Sequence, residues 1–400
     1  MKAPEIQALT PLELSSGLVF GDGGPLPELA SETPPVSPRA ALERAILPAL
    51  RRPPCLVSFS GGRDSSAILA VATALARREG LPPPIPATNR FPAADGAAET
   101  EWQERVIAHL GLEDWLRREL TDELDCVGPV ATRVLKRHGV LWPCNAHFHE
   151  PLFEAAAGGS FLTGIGGDEA FMTPSRSVYL GVLTGRRRPQ LRDVLRVGFA
   201  LAPRSIRRRV IEHRFPRICW WLQPDALKEV RAAMALEGSS EPLGWRGRYR
   251  WIRGFHYLEV GLKSLGLLAH DHDVVPVHAF ARPEFLAALA ELPRESRFDS
   301  RDAAMEALFG DLLPRDLHTR STKARFDGAF WTEHSRSLVT RWQGEGVDSE
   351  LVDLEVLRDE WTSSAPDARS FPLLQAVWLA LEGRNGASAD AVEQELHRVV

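Results

Sequence analysis

The stretch CLVSFSGGRDSSAILAVATALARR, residues 55–78, decides how this chain folds. Cys55 to Phe59 is a short apolar run that fits a buried strand. Ser65 to Arg78 reads as a helix, with Ile68, Leu69, Ala72 and Leu75 on one face. Between them stand Ser60, Gly61, Gly62, Arg63, Asp64, Ser65 and Ser66. Gly61 and Gly62 let the backbone approach a ligand closely and take positive φ. The free N–H groups and dipole of the following helix favour an anion. The hydroxyls of Ser60, Ser65 and Ser66 add donors, and together these groups make a cradle for phosphate oxygens. The loop is neither a Walker A motif nor the dinucleotide fingerprint. Gly-rich turns capped by Asp or Ser are common at strand-to-helix joints. The whole SGGxDSS behind a buried strand is what points past an ordinary turn.

Working outward, residues 38–52 have helical spacing through Ala41, Ile46 and Leu50, while residues 1–37 are rich in Pro, Gly and Ser and predict a loosely packed lead-in. Further strands are predicted at 84–91, 114–120 and 160–164. Helices are predicted at 98–110 and 122–138, and over HFHEPLFEAAAGG, ended by Gly158 and Gly159. Strands alternating with helices predict a parallel α/β sheet. Right-handed crossovers then put every strand C-terminus on one edge, where ligands bind. After residue 175 the pattern turns helical: 190–200, 204–214, 224–236, 245–268, 283–292 and 301–309, then on to the C-terminus. The expected organisation is a lead-in (1–37), a nucleotide-binding core (38–175), a helical part completing the active site (176–335) and C-terminal helices (336–400).

Composition narrows the function classes. The 400 residues are 44% hydrophobic and 25% charged, ordinary for a globular enzyme. A net charge of −5 gives no global field to recruit nucleic acid or an anionic membrane. No stretch approaches the roughly 18 apolar residues of a membrane span, and the N-terminus has no secretory signal pattern. Cys55, Cys126, Cys144 and Cys219 are scattered without CxxC spacing, so they read as reduced thiols of a cytoplasmic protein. Of 48 basic residues only Lys2, Lys136, Lys228, Lys263 and Lys323 are lysines. A lysine kept in so arginine-rich a chain is a candidate for a role that Arg does not fill.

The SGGRDSS loop resembles that of the PP-loop ATP pyrophosphatases, whose signature is SGGxDS. The resemblance implies a HUP-like (adenine nucleotide α-hydrolase) sheet. It also implies that the loop holds the pyrophosphate part of ATP, that cleavage falls between the α- and β-phosphates, and that AMP passes to a substrate oxygen before a nucleophile displaces it. Asp64 matches the family's Mg²⁺-binding aspartate, a role suited to an ion that takes a few carboxylates plus phosphate oxygens. FLTGIGGDEAF, residues 161–171, repeats the strand-then-glycines logic. It is similar to the S-G-x-G-x-D-E of asparagine synthetases and β-lactam synthetases. That likeness implies that Asp168 is a second Mg²⁺ ligand facing Asp64, that Thr163 and Gly164 line the AMP site, and that Glu169 sits beside the pyrophosphate or its metals. One departure stands out. Ile165 occupies the position where asparagine synthetases carry Glu and β-lactam synthetases a dyad Tyr, and Ile accepts no proton. His147, His149 and Glu150, in NAHFHEP just upstream, are candidate bases by proximity in sequence, against a plain reading as surface or capping residues.

LLPRDLHTRSTKARFDGAF, residues 312–330, resembles the asparagine synthetase pattern LLPxxLxxRxKxxF, and VVPVHAFARPEFLAALAELP, residues 274–293, resembles RVPFLDxxFVExALxLP. Lys323 aligns with a lysine that contacts the phosphates and stabilises developing charge. Lasso-peptide macrolactam cyclases are similar too, with TGxGGD and R-x-T-K near the site. Fewer than 60 residues precede SGGRDSS, and residue 2 is Lys where asparagine synthetases begin with Cys. The expectation is a synthetase domain without a glutaminase domain, resembling the family over about residues 40–335. It would use ATP and Mg²⁺ to form amides on a peptide or small-molecule carboxylate and amine, with a peptide-delivery partner protein as a candidate partner. The rivals are an ammonia-dependent asparagine synthetase-type enzyme, a PP-loop tRNA-modifying enzyme, and a non-catalytic nucleotide-binding partner, which Ile165 keeps in play.

Two further stretches carry candidate chemistry. AHDHDVV, residues 269–275, offers His270, Asp271, His272 and Asp273; His-x-His on a strand suits a metal, but no third ligand is evident, and the resemblance places the segment near the nucleotide pocket. Residues 186–217 hold eleven Arg against Asp193 and Glu212, followed by Trp220 and Trp221. That is either a solvated helical face or a grip for RNA or an acidic peptide.

Overall fold

The computed structural model describes residues 8–21, 36–92, 100–171, 191–298, 300–318 and 327–382. The sheet runs in the order β3-β2-β1-β4-β5. Its strands are β1 (Cys55–Ser58), β2 (Ile85–Arg90), β3 (Leu116–Glu119), β4 (Ser160–Thr163) and β5 (Val275–His278). Every pairing is parallel, with Val57 opposite Leu162 and Leu162 opposite Val277. The first four strands are those the apolar runs predict. The fifth falls where no strand is expected, because VPVH is short and interrupted by Pro276. A strand proline loses a ladder donor and is tolerated at an edge, and β5 is an edge strand. The strand order reverses between β1 and β4, so the loops leaving these two neighbours face each other at the switch point.

The helices are α1 (Pro11–Ser16), α2 (Pro38–Leu50), α3 (Arg63–Glu79), α4 (Thr100–Leu110), α5 (Pro129–His138), α6 (Glu150–Ala155) and α7 (Gly167–Ala170). Then follow α8 (Leu191–Leu201), α9 (Arg204–His213), α10 (Pro224–Ser239), α11 (Trp245–Arg253), α12 (His256–Asp271), α13 (Pro283–Ala290), α14 (Arg301–Phe309), α15 (Glu333–Arg341) and α16 (Leu354–Thr362), with single helical turns at Arg315–His318 and Asp327–Phe330 between α14 and α15. Alternation along the strands sends Val57 and Leu162 to one face, against Ile68, Leu69 and Leu75 of α3. Leu56 and Phe161 go to the other face, against Phe153 of α6 and Leu265 of α12. Burying each such side chain contributes roughly 1.5–3 kcal/mol.

Several predicted helices change at their ends. The 122–138 segment becomes helical only at Pro129, behind Gly128, because Asp125 accepts from Val127 N, Thr332 N and Oγ1 and Ser335 Oγ, and so holds its loop to the N-terminus of α15. The 245–268 segment breaks at Gly254 into α11 and α12. The lead-in is packed where it is described. Thr10 and Glu13 form a reciprocal capping box on α1, and Trp221 Nε1 donates to Ser15 O at 2.8 Å. Leu12 thereby joins a second core with Trp221, Trp342, Trp361 and Leu374. Among the described residues, no helix is long and apolar enough to cross a membrane.

Candidate active site at the β1/β4 switch point

The loop after β1 is pre-shaped by its own hydroxyls. Gly61 takes φ +78°, a conformation that favours glycine. Ser60 Oγ accepts from Gly62 N at 3.3 Å and lies 3.2 Å from Ser65 Oγ, which in turn donates to Gly62 O at 3.1 Å. Gln103 of α4 pins the loop by donating to Ser60 O at 3.1 Å. Gly62 opens α3 without a side-chain cap, so the N-terminal N–H groups of a seventeen-residue helix remain available to an anion. Ser66 Oγ, at the same end, is buried and has no hydrogen-bond partner among the described residues.

The loop after β4 presses against this cradle, which explains its glycines. A Cβ on Gly167 would stand 2.5 Å from Asp64 Cγ, and one on Gly164 would stand 2.9 Å from Ser65 N. Gly166 takes φ +93°, and its Cβ would meet Ala281 N at 2.7 Å. Only backbone fits between the loops, so TGIGG brings Asp168 to the same place as Asp64. One guanidinium marks how close they are: Arg301, at the start of α14, pairs with both Asp64 and Asp168. Arg63 pairs with the adjacent Asp302.

The electrostatics fit a divalent cation. Burial pushes the Asp64 carboxyl above its usual range, and the Arg301 guanidinium opposes that rise. Asp64 Oδ1 is buried without a hydrogen-bond partner among the described residues, while the Asp168 side chain is 62% exposed and open to a ligand. Two carboxylates against one arginine leave net negative charge beside a phosphate cradle, the donor set that Mg²⁺ with a polyphosphate requires. Glu169 is held by Tyr257 of α12, whose hydroxyl donates to Glu169 Oε1 at 2.9 Å. Thr163 Oγ1 lies 2.7 Å from His278 Nδ1 at the end of β5. Burial holds His278 down at about 3, so this imidazole is neutral.

Ser60, Gly61, Gly62, Asp64, Ser65, Ser66, Thr163, Gly164, Asp168 and Glu169 therefore gather at one edge of the sheet. Lys323 lies outside the described residues. Of the candidate bases, His147 and Glu150 lie apart from the group, and His149 comes near it only through His278, on which it acts electrostatically. His147 is buried with each ring nitrogen against a carbonyl, Cys144 O at 3.1 Å and Leu124 O at 3.0 Å. His149 packs on Phe153 and Phe161 and is held down at about 4 by burial. Glu150 pairs with His272 at 2.9 Å and lines a separate cavity of about 540 Å³ with Arg118, Arg133 and Arg137. Ile165 is partly buried and packs against the apolar cluster on the α6/α12 face of the sheet. The HDHD segment is also misplaced by the resemblance. It ends α12 and precedes β5, with Gly158 N donating to His272 O, so it lies at the N-terminal edge of the strands, one strand length from the cradle. The four cysteines are free, and burial pushes Cys55 up to about 11 and Cys144 and Cys219 up to about 12, so none is a nucleophile at neutral pH.

Arg301, Tyr257 and His278 are the residues that sequence reasoning misses. Arg301 carried one physical signal: a cation in the first turn of a helix sits against the macrodipole, a placement that asks for a reason elsewhere. Tyr257 and His278 come from segments whose spacing reads as ordinary core.

The asparagine synthase family profile matches residues 39–383 of this chain. A comparison with curated proteins finds no match.

Proposed function

The chain belongs to the asparagine synthase family, so it is an ATP-dependent amide ligase, and on that premise we propose that it adenylates a peptide or natural-product carboxylate and couples it to an amine, in the manner of a macrolactam cyclase. The carboxylate oxygen attacks the α-phosphorus of ATP, the bond to the bridging oxygen breaks, and pyrophosphate leaves. The amine nitrogen then attacks the carbonyl carbon, AMP departs, and the nitrogen loses a proton.

This chain's residues take roles that follow from their chemistry. The α3 N-terminus with Ser60, Gly61, Gly62, Ser65 and Ser66 binds the pyrophosphate portion. Thr163 and Gly164 border the AMP portion. Asp64 and Asp168 would hold Mg²⁺, which neutralises charge building on the leaving pyrophosphate. Arg301 keeps the two carboxylates paired until the nucleotide arrives, and its guanidinium would then be available to phosphate oxygens. Tyr257 fixes the orientation of Glu169 beside them, and Lys323 supplies a point charge to the transition state. Ile165, partly buried against the apolar cluster, takes no part in proton transfer.

The single observation that carries this reading is the shared pairing of Asp64 and Asp168 with Arg301. The test is pyrophosphate release from Mg-ATP with candidate peptide carboxylates, with and without hydroxylamine to trap the activated acyl group. AMP, pyrophosphate and hydroxamate are expected. Formation of ADP, or no AMP with any carboxylate, would reject it, the latter in favour of a non-catalytic nucleotide-binding role.

A further inference from the structure

Among the described residues, the strongly exposed large apolar side chains all fall within residues 191–243. Leu191, Leu195, Leu201 and Ile206 are 50–78% exposed on α8 and α9, and Leu236 and Leu243 are 45% and 42% exposed at the far end of α10 and just beyond. A surface scatter of single leucines would need no account, but these are gathered. Arg204 Nη2 donates to Leu236 O at 3.5 Å, and Arg207 Nη1 donates to Glu241 O at 2.8 Å. These bonds fasten the N-terminal end of α9 to the C-terminal end of α10, bringing Leu201, Ile206, Leu236 and Leu243 to one end of the outcrop.

The same outcrop is basic in an acidic protein. Residues 191–243 contain nine Arg and one Lys against six carboxylates, a local excess of positive charge concentrated in 191–217, while the whole chain carries −5. Glu212 pairs with Arg208 at 2.9 Å. A run of aromatic contacts ties the outcrop to the acidic edge of the site. Ser240 Oγ accepts from Trp251 Nε1 at 3.0 Å, Trp251 stands edge-on to Phe255, Phe255 stacks on Tyr257, and Tyr257 holds Glu169.

We propose that the α8–α10 outcrop docks an acidic, amphipathic segment of the peptide substrate, remote from its reacting carboxylate. This rests on the peptide-ligase reading above. Exposed leucines between arginines complement a segment of Glu and Leu in both charge and polarity. Among the described residues, the range 191–243 has one strongly exposed aromatic side chain, Trp220 at 46%, where single-stranded RNA stacks successive bases on several. Docking a remote segment also has a catalytic use: binding energy gained there positions the reacting carboxylate.

The test uses the full chain and a short fluorescein-labelled peptide of Glu, Leu and Ala in helical amphipathic order, read by fluorescence anisotropy. Two double variants, Arg208→Glu with Arg209→Glu and Leu195→Glu with Ile206→Glu, change only exposed side chains, so both should fold as wild type by circular dichroism. Each should weaken the peptide about 10-fold, equivalent to about 1.4 kcal/mol, with pyrophosphate release from a short carboxylate unchanged. Unaltered affinity in both variants would overturn the docking surface. So would tighter binding of phosphatidylglycerol vesicles or of polyuridylate than of the peptide. Intact peptide binding in a wild-type protein that releases no AMP would instead break the ligase reading and leave the docking surface standing.

Discussion

Where the loops after β1 and β4 meet, the chain uses the smallest residues available; in the second core, between α1, α10, α15 and α16, it uses the largest. Gly164 and Gly167 lie against Ser65 and Asp64 with no room for a methyl group. Trp221, Trp342 and Trp361 are each no more than 1% exposed, and Trp342 meets Trp361 edge-on at 4.8 Å. The first region places charge through backbone proximity and contributes little apolar burial. The second is apolar bulk around a fully buried carboxylate, Asp125, whose partners are all backbone N–H groups and hydroxyls. Function and stability are thus assigned to different parts of the molecule, and substitutions should separate them.

The largest expected effect belongs to the second core. Trp342→Ala removes a fully buried indole together with its bond to Glu345 O, and should cost about 3–5 kcal/mol of unfolding free energy in a urea titration. The nucleotide edge is distant from this cavity, so the folded fraction should keep its turnover per molecule. A matching loss of turnover in fully folded protein would show that the two regions are coupled. Asp168→Asn is the opposite case. Its side chain is mostly exposed, so the melting temperature should hold, while pyrophosphate release should fall about 10²–10³-fold with loss of charge stabilisation. Full activity in this variant would remove Asp168 from the site.

Gly167→Ala sharpens the comparison with one methyl group. Its Cβ must displace the Asp64 carboxylate, so Mg-ATP affinity should fall about 10-fold or more, with a smaller change in stability than Trp342→Ala gives. If the variant binds nucleotide like wild type, the two loops are looser than their contact implies.

The sequence made the first region legible and left the second mostly hidden, for a physical reason. SGGRDSS and TGIGGDE are local: their glycines, hydroxyls and carboxylates lie within a few residues of each other, and each loop follows an apolar strand run. Even so, the reason for Gly167 appears only when Asp64, a hundred residues earlier, lies against it. Arg301 completes the pair from a third segment, and no spacing rule links it to the other two. In the second core, Asp125, Trp221, Ser335, Trp361 and Leu12 come from across the chain. The helical period places each on an apolar face or in a turn but does not say what it meets. β5 escaped for a related reason: a four-residue strand containing proline has no periodicity to read, and its place is set by pairing with β4.

The smallest expected effect lies between the regions, at the end of β4 and β5, where pH becomes the probe. His278 and His149 are held at about 3 and about 4 by burial, below the 6.5 or so of a histidine in an unfolded chain. Above that value both are neutral in either state and the folded protein has its full stability. As pH falls below about 6.5, the unfolded chain takes up protons that the folded chain refuses, so stability declines toward the folded values. Between pH 7.5 and 5, where carboxylates scarcely titrate, the urea midpoint should therefore drop. His278→Gln should flatten part of that slope while keeping an acceptor for Thr163. Because Thr163 borders the proposed AMP portion, the same variant should weaken nucleotide binding slightly at neutral pH, less than Gly167→Ala does. A slope left intact by this replacement would mean that the imidazole is hydrated and protonates freely, and the β4–β5 end would then belong with the open cradle rather than with the core beneath it.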